Sequence, residues 1–484
     1  MATSTDTAGL GLRGWLILLT LCGATFMTGL DYSIVTVALP EIGRSLGFAS
    51  ASDLQWVATA SLLPTAALMP LFGRASDMLG RRRLFIAGVV IFTLFSLLAG
   101  LAPNPGLLIA ARAGQGVAAA MIGPTALALM TAAFPEGPQR TRALGVNGAL
   151  LSLGFVIGTI GGGLITSGLN WRWTMLILFG IGALVVTGAA TVVPEPSGRS
   201  RARLDVPGAI LASGGLFALV YGISDGGRAG WGSVRTITTL LVAAVLLGAF
   251  LVVEARHAAP LVPPRLLRRP TVKWGMTVGL VTFGMCGGAT LLLSLYMQDV
   301  LGYSPLATGL GFLGEGAAAL LGGTLVARLI NARGTVATIV LGLTVQALGT
   351  AAMALLPAHG GLVLLLASSA VMGFGHVLTV VAAITTITSG LDEADQGVAG
   401  SLAQMPTFVG AVGVAALTAV ASARTAALAP STTKALAMLG GLHTAFLTAG
   451  AVALLGAVAA ALLLRKAMGT AAEPAEPAAE LAAR

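Results

Sequence analysis

Three ionisable side chains sit inside stretches that are otherwise almost purely apolar: Asp31, Arg112 and Glu315. A charge at membrane depth costs about 3 kcal/mol or more, so each is a functional candidate by default. Asp31 stands in the outer half of the first apolar run. Arg112 lies about six residues into the fourth, entered from outside, and at ~1.5 Å per residue the two reach comparable depth. An acid beside a guanidinium can alternate between an ion pair and a protonated, neutral form, which is what a proton carrier needs. A permanent structural salt bridge is the competing reading. Arg112 reads as the electrostatic partner of Asp31 rather than as a substrate ligand, because Arg does not deprotonate in proteins. Glu315, in Phe312-Leu-Gly-Glu315-Gly316, has small neighbours that leave room for a ligand or water. It would suit a cationic substrate or a second proton, or it is a Glu hydrogen-bonded within its own bundle. Gln115, Gln346, His376 and Gln404 fall at similar depth and could line the same cavity. Each alone more often makes an interhelical hydrogen bond, and His376 could also titrate near neutral pH.

The elements that position these groups are membrane helices. Of 484 residues, 56% are hydrophobic and 9% charged, against roughly 25% charged in a soluble protein. Apolar runs of about twenty residues, enough to cross a ~30 Å hydrocarbon core, recur along nearly the whole length and leave no room for a sizeable soluble domain. The chain reads as an all-α integral membrane protein with fourteen spans, near 15–38, 54–73, 84–102, 106–131, 142–168, 173–193, 207–223, 235–253, 274–298, 305–327, 335–356, 361–388, 398–421 and 441–464. The first span is too long for a signal-peptide core and contains Asp31, so it is read as a membrane helix.

A basic segment follows the second span, Gly73-Arg-Ala-Ser-Asp77-Met-Leu-Gly80-Arg81-Arg82-Arg83, and reads as a turn. Arg328-Leu-Ile-Asn331-Ala-Arg-Gly334 repeats the Arg74, Asp77, Gly80 spacing after the tenth span, so the chain contains two related halves. The expected organisation is a cytoplasmic segment 1–14, a six-helix bundle 15–193, a linker with two inserted helices 194–273, a second six-helix bundle 274–464 and a disordered tail 465–484. With the N-terminus inside, 20 of the 27 Lys and Arg face the cytoplasm and six face out, with Arg112 within a helix. That bias orients both termini to the cytoplasm. The net charge of +9 is explained by these short loops, which argues against nucleic-acid binding. Five of the six Trp, at 15, 56, 171, 173 and 274, fall near span ends, as interfacial aromatics do.

Cys22 and Cys286 lie in apolar spans, and the four His (257, 359, 376, 443) are scattered. Neither a disulfide framework, a metal site nor a cofactor is expected. Gly154, Gly158 and Gly162 at four-residue spacing lay a flat ridge along the fifth span, which lets two backbones approach closely. Spacing alone does not choose between ordinary tight packing and a face on which helices rock.

Taken together, these residues resemble the major facilitator superfamily, and within it the fourteen-helix drug:proton antiporter branch, over about residues 13–465. Gly73 to Arg83 is similar to the family's cytoplasmic signature, and Leu30-Asp31-Tyr-Ser-Ile-Val-Thr-Val-Ala-Leu-Pro40 to the branch's first-helix signature. Arg112-Ala-Gly-Gln115-Gly116 resembles the fourth-helix motif and Gly154 to Gly163 the antiporter motif. Trp171-Arg172-Trp173, Arg203-Leu-Asp205-Val-Pro-Gly208 and Leu295-Tyr-Met-Gln298-Asp-Val-Leu-Gly-Tyr303-Ser-Pro305 add branch-specific matches. The resemblance implies two six-helix bundles plus two inserted central helices in a bacterial plasma membrane. It also implies export of lipophilic compounds driven by proton entry, with Asp31 and Arg112 coupling and Gly73, Asp77, Gly80 and Arg81 at a cytoplasmic gate. The chain departs from the pattern at Thr159, where the antiporter motif has Pro, at Met78, where Arg is usual, and at Glu315, where relatives commonly have Pro. At Thr159 a bond from the hydroxyl to the preceding turn would replace the kink.

The expected function is thus a proton-coupled antiporter for small amphiphilic, lipophilic or cationic molecules, working as a monomer among membrane lipids. A proton-coupled uptake symporter or facilitator is the alternative on the same fold. A membrane enzyme would need a nucleophile with its base or a metal cluster, and the scattered histidines supply neither.

Overall fold

In hydrocarbon no water can satisfy a backbone N–H or C=O, so a lone apolar run closes its hydrogen bonds internally, as a helix. The computed structural model follows that rule over the residues it describes, which are 11–48, 56–195, 205–257, 260, 262–391 and 395–469; no β-strand occurs among them. The chain opens with α1 (Leu12–Leu46), α2 (Trp56–Leu79), α3 (Arg81–Gly100), α4 (Pro105–Ala133), α5 (Pro138–Gly168) and α6 (Arg172–Val192), which pack on one another as a first bundle. A hairpin of α7 (Val206–Ala229) and α8 (Val234–Glu254) follows, packed on α2, and then the one-turn α9 (Pro264–Arg268). The second bundle holds α10 (Pro270–Leu295), α11 (Pro305–Gly311), α12 (Leu313–Ala352), α13 (Leu362–Thr388), α14 (Gln396–Val409), α15 (Ala411–Leu428) and α16 (Lys434–Gly469).

Among the described residues, twelve stretches are long and apolar enough to cross a membrane. One of them, Leu306–Leu355, runs 50 residues and contains Gly334 at φ 80°, where the helix breaks. Dividing it there gives thirteen passes, and the shorter apolar helix Pro207–Ile223 supplies the fourteenth of the expected count. The span expected at 398–421 is two helices, α14 and α15, meeting at Gly410. The expected disorder of the tail concerns residues that, from 470 onward, lie outside the described ones, as do residues 1–10.

Helix starts follow capping chemistry. Asn104, Asp205, Ser233 and Ser304 each accept a bond from a backbone N–H three residues on, and in the first, second and fourth cases proline occupies the first turn, where its missing N–H is not needed. The basic segment corrects the sequence reading: residues 73–79 are the last turns of α2, and only Gly80, at φ 103°, stands between α2 and α3. Gly334 breaks α12 in the same left-handed way, 254 residues later, so the echo read from the spacing is also an echo in backbone conformation. The two sites differ in burial. Arg74, Asp77 and Arg81 are buried, whereas Arg328, Asn331 and Arg333 are exposed.

The partner of the glycine ridge is α1. A Cβ on Gly154 would meet Phe26 O at 2.5 Å, one on Gly158 would meet Ser33 Oγ and Leu30 O, and one on Gly162 would meet Ile34 Cγ1 at 2.9 Å. The ridge therefore holds α5 to the helix of Asp31, inside the first bundle, and is not the sliding face considered from its spacing. A different face of α5 meets the second bundle: Gly145 and Ala149 lie on Gly323, Val156 on Gly316, and Thr159 on Gly309. Thr159 donates to Phe155 O at 2.9 Å within a continuous helix, the back-bonding expected where the motif's proline is missing. Among the aromatics, Trp171 stands at the start of α6 and is buried, its Nε1 donating to Ser45 Oγ at 2.6 Å.

Because the backbones touch along the ridge, Gly158→Val should overpack the α1–α5 contact at a cost of about 1–3 kcal/mol. A Cβ on Gly161 would meet nothing closer than 4.0 Å, so Gly161→Val is the matched control. Thermal unfolding of the purified variants checks this; equal midpoints for the two would contradict the packing.

Candidate functional site

α1 and α4 bring Asp31 and Arg112 together as an ion pair whose side chains are 7% and 2% exposed. The guanidinium is shared. Its Nη1 donates to Asp31 Oδ1 and to Gln115 Oε1 at 2.8 Å, and its Nε donates to the Val57 carbonyl of α2 at 2.9 Å. Gln115 Nε2 then donates to Ser96 Oγ of α3 at 2.8 Å, and Ser96 Oγ donates to Phe92 O at 2.8 Å. Four helices thus meet at one cation. Gln115 was expected to line a cavity with Glu315; instead it is fully buried in the Arg112 network. Ser96, which the sequence did not single out, closes that network, and its signal is weak because serine is common in membrane helices.

This arrangement suits proton chemistry. A buried ion pair is held by mutual attraction in a low dielectric, and removing the charge of one partner leaves the other uncompensated. Arg112 also donates to Val57 O and Gln115 Oε1, so its N–H groups have acceptors besides the carboxylate.

The second bundle holds a separate cluster. Thr282 Oγ1 of α10 lies 2.6 Å from Gln346 Oε1 of α12 and 2.9 Å from His376 Nδ1 of α13, and Gln346 Nε2 donates to Thr282 O at 3.0 Å. Phe283 meets the His376 ring edge-on, with centroids 5.0 Å apart. Gln346 and His376 are joined as expected of groups at similar depth, but through Thr282, which sequence reading missed. Threonine in a helix ordinarily bonds back to its own preceding turn, and nothing in the pattern shows that this one turns sideways.

Glu315 stands apart from both networks. Its nearest donor, Thr290 Oγ1, is 3.5 Å from Oε1, while Oε2 is buried without a partner. Space for the side chain comes from Gly373 of α13, where a Cβ would lie 2.7 Å from Glu315 Cγ. The next residue, Gly316, faces Val156 of the first bundle. Gln404, half-buried on α14, joins neither cluster.

At the end of α2, Arg81 Nε and Nη2 donate to Asp77 Oδ1 at 3.1 and 2.9 Å across the Gly80 break, with both side chains buried. At the same end of the molecule, Glu136 Oε1 accepts from the Gly390 N–H of the second bundle at 2.9 Å and from Arg140 at 3.1 Å. This bond between bundles was not anticipated, since an exposed loop glutamate carries no distinguishing sequence signal. Among the described residues no cluster of His, Cys, Asp or Glu is arranged to hold a metal ion.

Comparison with known proteins agrees with this geometry. The chain is 40% identical over 432 residues to the cephamycin export protein CmcT of Amycolatopsis lactamdurans, covering 87% of this chain and 86% of that protein. It is 37% identical over 425 residues to the puromycin resistance protein pur8 of Streptomyces alboniger, covering 86% and 83%. The crystal structure of the human organic anion transporter MFSD10 (TETRAN) shares the fold, with a TM-score of 0.62 at 16% identity over 92% of this chain and 98% of that one. Residues 21–416 match the Major Facilitator Superfamily, and the chain belongs to that family of membrane transporters.

Proposed function

We propose that this protein exports small amphiphilic molecules, antibiotics among them, across a bacterial plasma membrane in exchange for protons. The observation that carries the reading is the Asp31–Arg112 pair, a titratable acid held at membrane depth by a cation that cannot titrate. The names of the relatives, an export protein for cephamycin and a resistance protein for puromycin, support the direction of transport. A proton taken up by Asp31 from outside neutralises the acid, the bundles rock about their shared face, and the proton leaves inside as substrate binds. Each proton moving through ~100 mV contributes about 2.3 kcal/mol, which is roughly a fifty-fold gradient at tight coupling.

In this reading the termini are cytoplasmic, as the loop charges require, and the protein works as a monomer. Gly73, Asp77, Gly80 and Arg81 form the inner gate of the first bundle. Asn331 replaces the acid at the corresponding place in the second bundle, so the latch is stronger in the first. Glu315 reads charge on the substrate, because it pairs with no cation among the described residues, and Gln346, His376 and Gln404 contribute on the same side. The three glycines at 154, 158 and 162 keep the Asp31 helix and α5 together, so that a change at the acid reaches the face between the bundles.

Asp31→Asn preserves the size of the side chain and removes the proton. It should abolish proton-driven efflux in everted vesicles while exchange of labelled substrate without a pH gradient persists; efflux equal to the parent would contradict the coupling role. Glu315→Gln should slow export of cationic substrates severalfold more than that of neutral ones, measured side by side in the same vesicles. Equal losses would remove its role as a charge reader.

A further inference from the structure

We infer that Tyr32 and Phe155 form a stacking platform for a flat aromatic ring on the substrate. The inference rests on the efflux reading above and narrows its substrate class to amphiphiles with a planar, conjugated ring system over saturated ones of the same skeleton and charge.

Tyr32 is out of character with the rest of its helix. From Thr20 to Gly43, α1 is enclosed by its neighbours, and among the residues of that stretch whose burial is described Tyr32 alone is exposed, at 58%. Adjacent residues fix its direction. Asp31 turns to Arg112 of α4, while Leu30 and Ser33 close on Gly158 of α5. Successive side chains of a helix stand ~100° apart, so Tyr32, between Asp31 and Ser33, points between α4 and α5. A stretch enclosed in this way has no lipid face, so the one large side chain exposed on it looks into a space inside the protein.

Phe155 borders the same space. Its ring centroid is 6.3 Å from that of Tyr32, with 29° between the planes, and the ring is half-buried. Ile157 and Leu164, both exposed, mark the outer face of α5, and at 3.6 residues per turn Phe155 lies about 160–180° away from them. Val156 and Thr159, next along the helix, touch Gly316 and Gly309 of the second bundle, so the space borders the face where the bundles meet. The two rings stand on helices whose backbones touch at Gly154 and Gly158, which fixes the spacing between them. An aromatic ring has a negative face and a positive edge, so a further ring gains from offset or edge-on stacking beyond the area it buries. A saturated ring gains only the burial.

The test uses the full-length protein in lipid nanodiscs and two probes of one skeleton and charge, naphthylmethyl-trimethylammonium and its decahydronaphthyl counterpart. Dissociation constants come from saturation with the tritiated aromatic probe and from its displacement by the saturated one. The saturated probe is the more hydrophobic, so partition alone would favour it. The parent should bind the aromatic probe about fivefold more tightly. Tyr32→Leu, and independently Phe155→Leu, should bring the ratio near one by weakening the aromatic probe, with the saturated probe's affinity within about twofold of the parent's. Tyr32→Phe keeps the ring and should keep the ratio. A parent ratio of one or below, a ratio that survives both leucine substitutions, a parallel loss of both affinities, loss of the ratio in Tyr32→Phe, or no saturable binding of the aromatic probe would overturn the inference. Failure of the efflux reading is seen separately, as absence of proton-driven transport of the tritiated probe by parent proteoliposomes whatever the binding ratio.

Discussion

The structure depends on keeping a guanidinium in hydrocarbon. Arg112 is 2% exposed and does not lose its proton, so its surroundings must answer its charge and donors within protein. They do so from four helices: the Asp31 carboxylate of α1, the Val57 carbonyl of α2, Gln115 on its own helix and, through Gln115, Ser96 of α3. The core of the first bundle is organised around this one cation. Of those partners only Asp31 is an ionisable group, and it stands within a frame of fixed dipoles.

The two faces of α5 show how such a local change reaches the rest of the molecule. Gly154, Gly158 and Gly162 seat α5 against α1 within van der Waals contact of its backbone, which ties the helix of Asp31 closely to α5. The opposite contacts, Gly145 and Ala149 on Gly323 and Val156 on Gly316, join the bundles through small residues. Close-packed interfaces of this kind have discrete arrangements and do not deform smoothly. Glu315 sits one residue from that interface, next to Gly316, so the lone acid of this part of the second bundle lies beside the surface where the two bundles meet.

The pairing of Asp31 with Arg112 was legible in the sequence because a charge in an apolar helix has few possible partners, and depth counting found the one of opposite sign. Gly80 and Gly334 were legible because only glycine adopts the left-handed break without strain, so the spacing carried the geometry. The spans were legible from length and hydropathy, and Arg328, Asn331 and Arg333 marked the break within α12. What the sequence withheld was pairing. A periodic stripe says that a face is buried but not against what, so the ridge on α5 gave no sign that α1 was its neighbour. Gln115 and Thr282 were equally opaque: a polar residue at depth will bond to whatever lies opposite, and what lies opposite is set by tertiary structure. The helical run through residues 73–79 was misread as a turn because its charges suggested a loop, whereas Asp77 pairs with Arg81 and the helix continues to Gly80.

The central claim, that Asp31 carries the transported proton, is tested most directly by counting protons on the purified protein. In weakly buffered detergent solution with a pH indicator, adding a saturating substrate should release up to one proton per molecule of parent protein, and none from Asp31→Asn at equal occupancy. Equal release from both proteins would show that the proton resides elsewhere and would contradict the account.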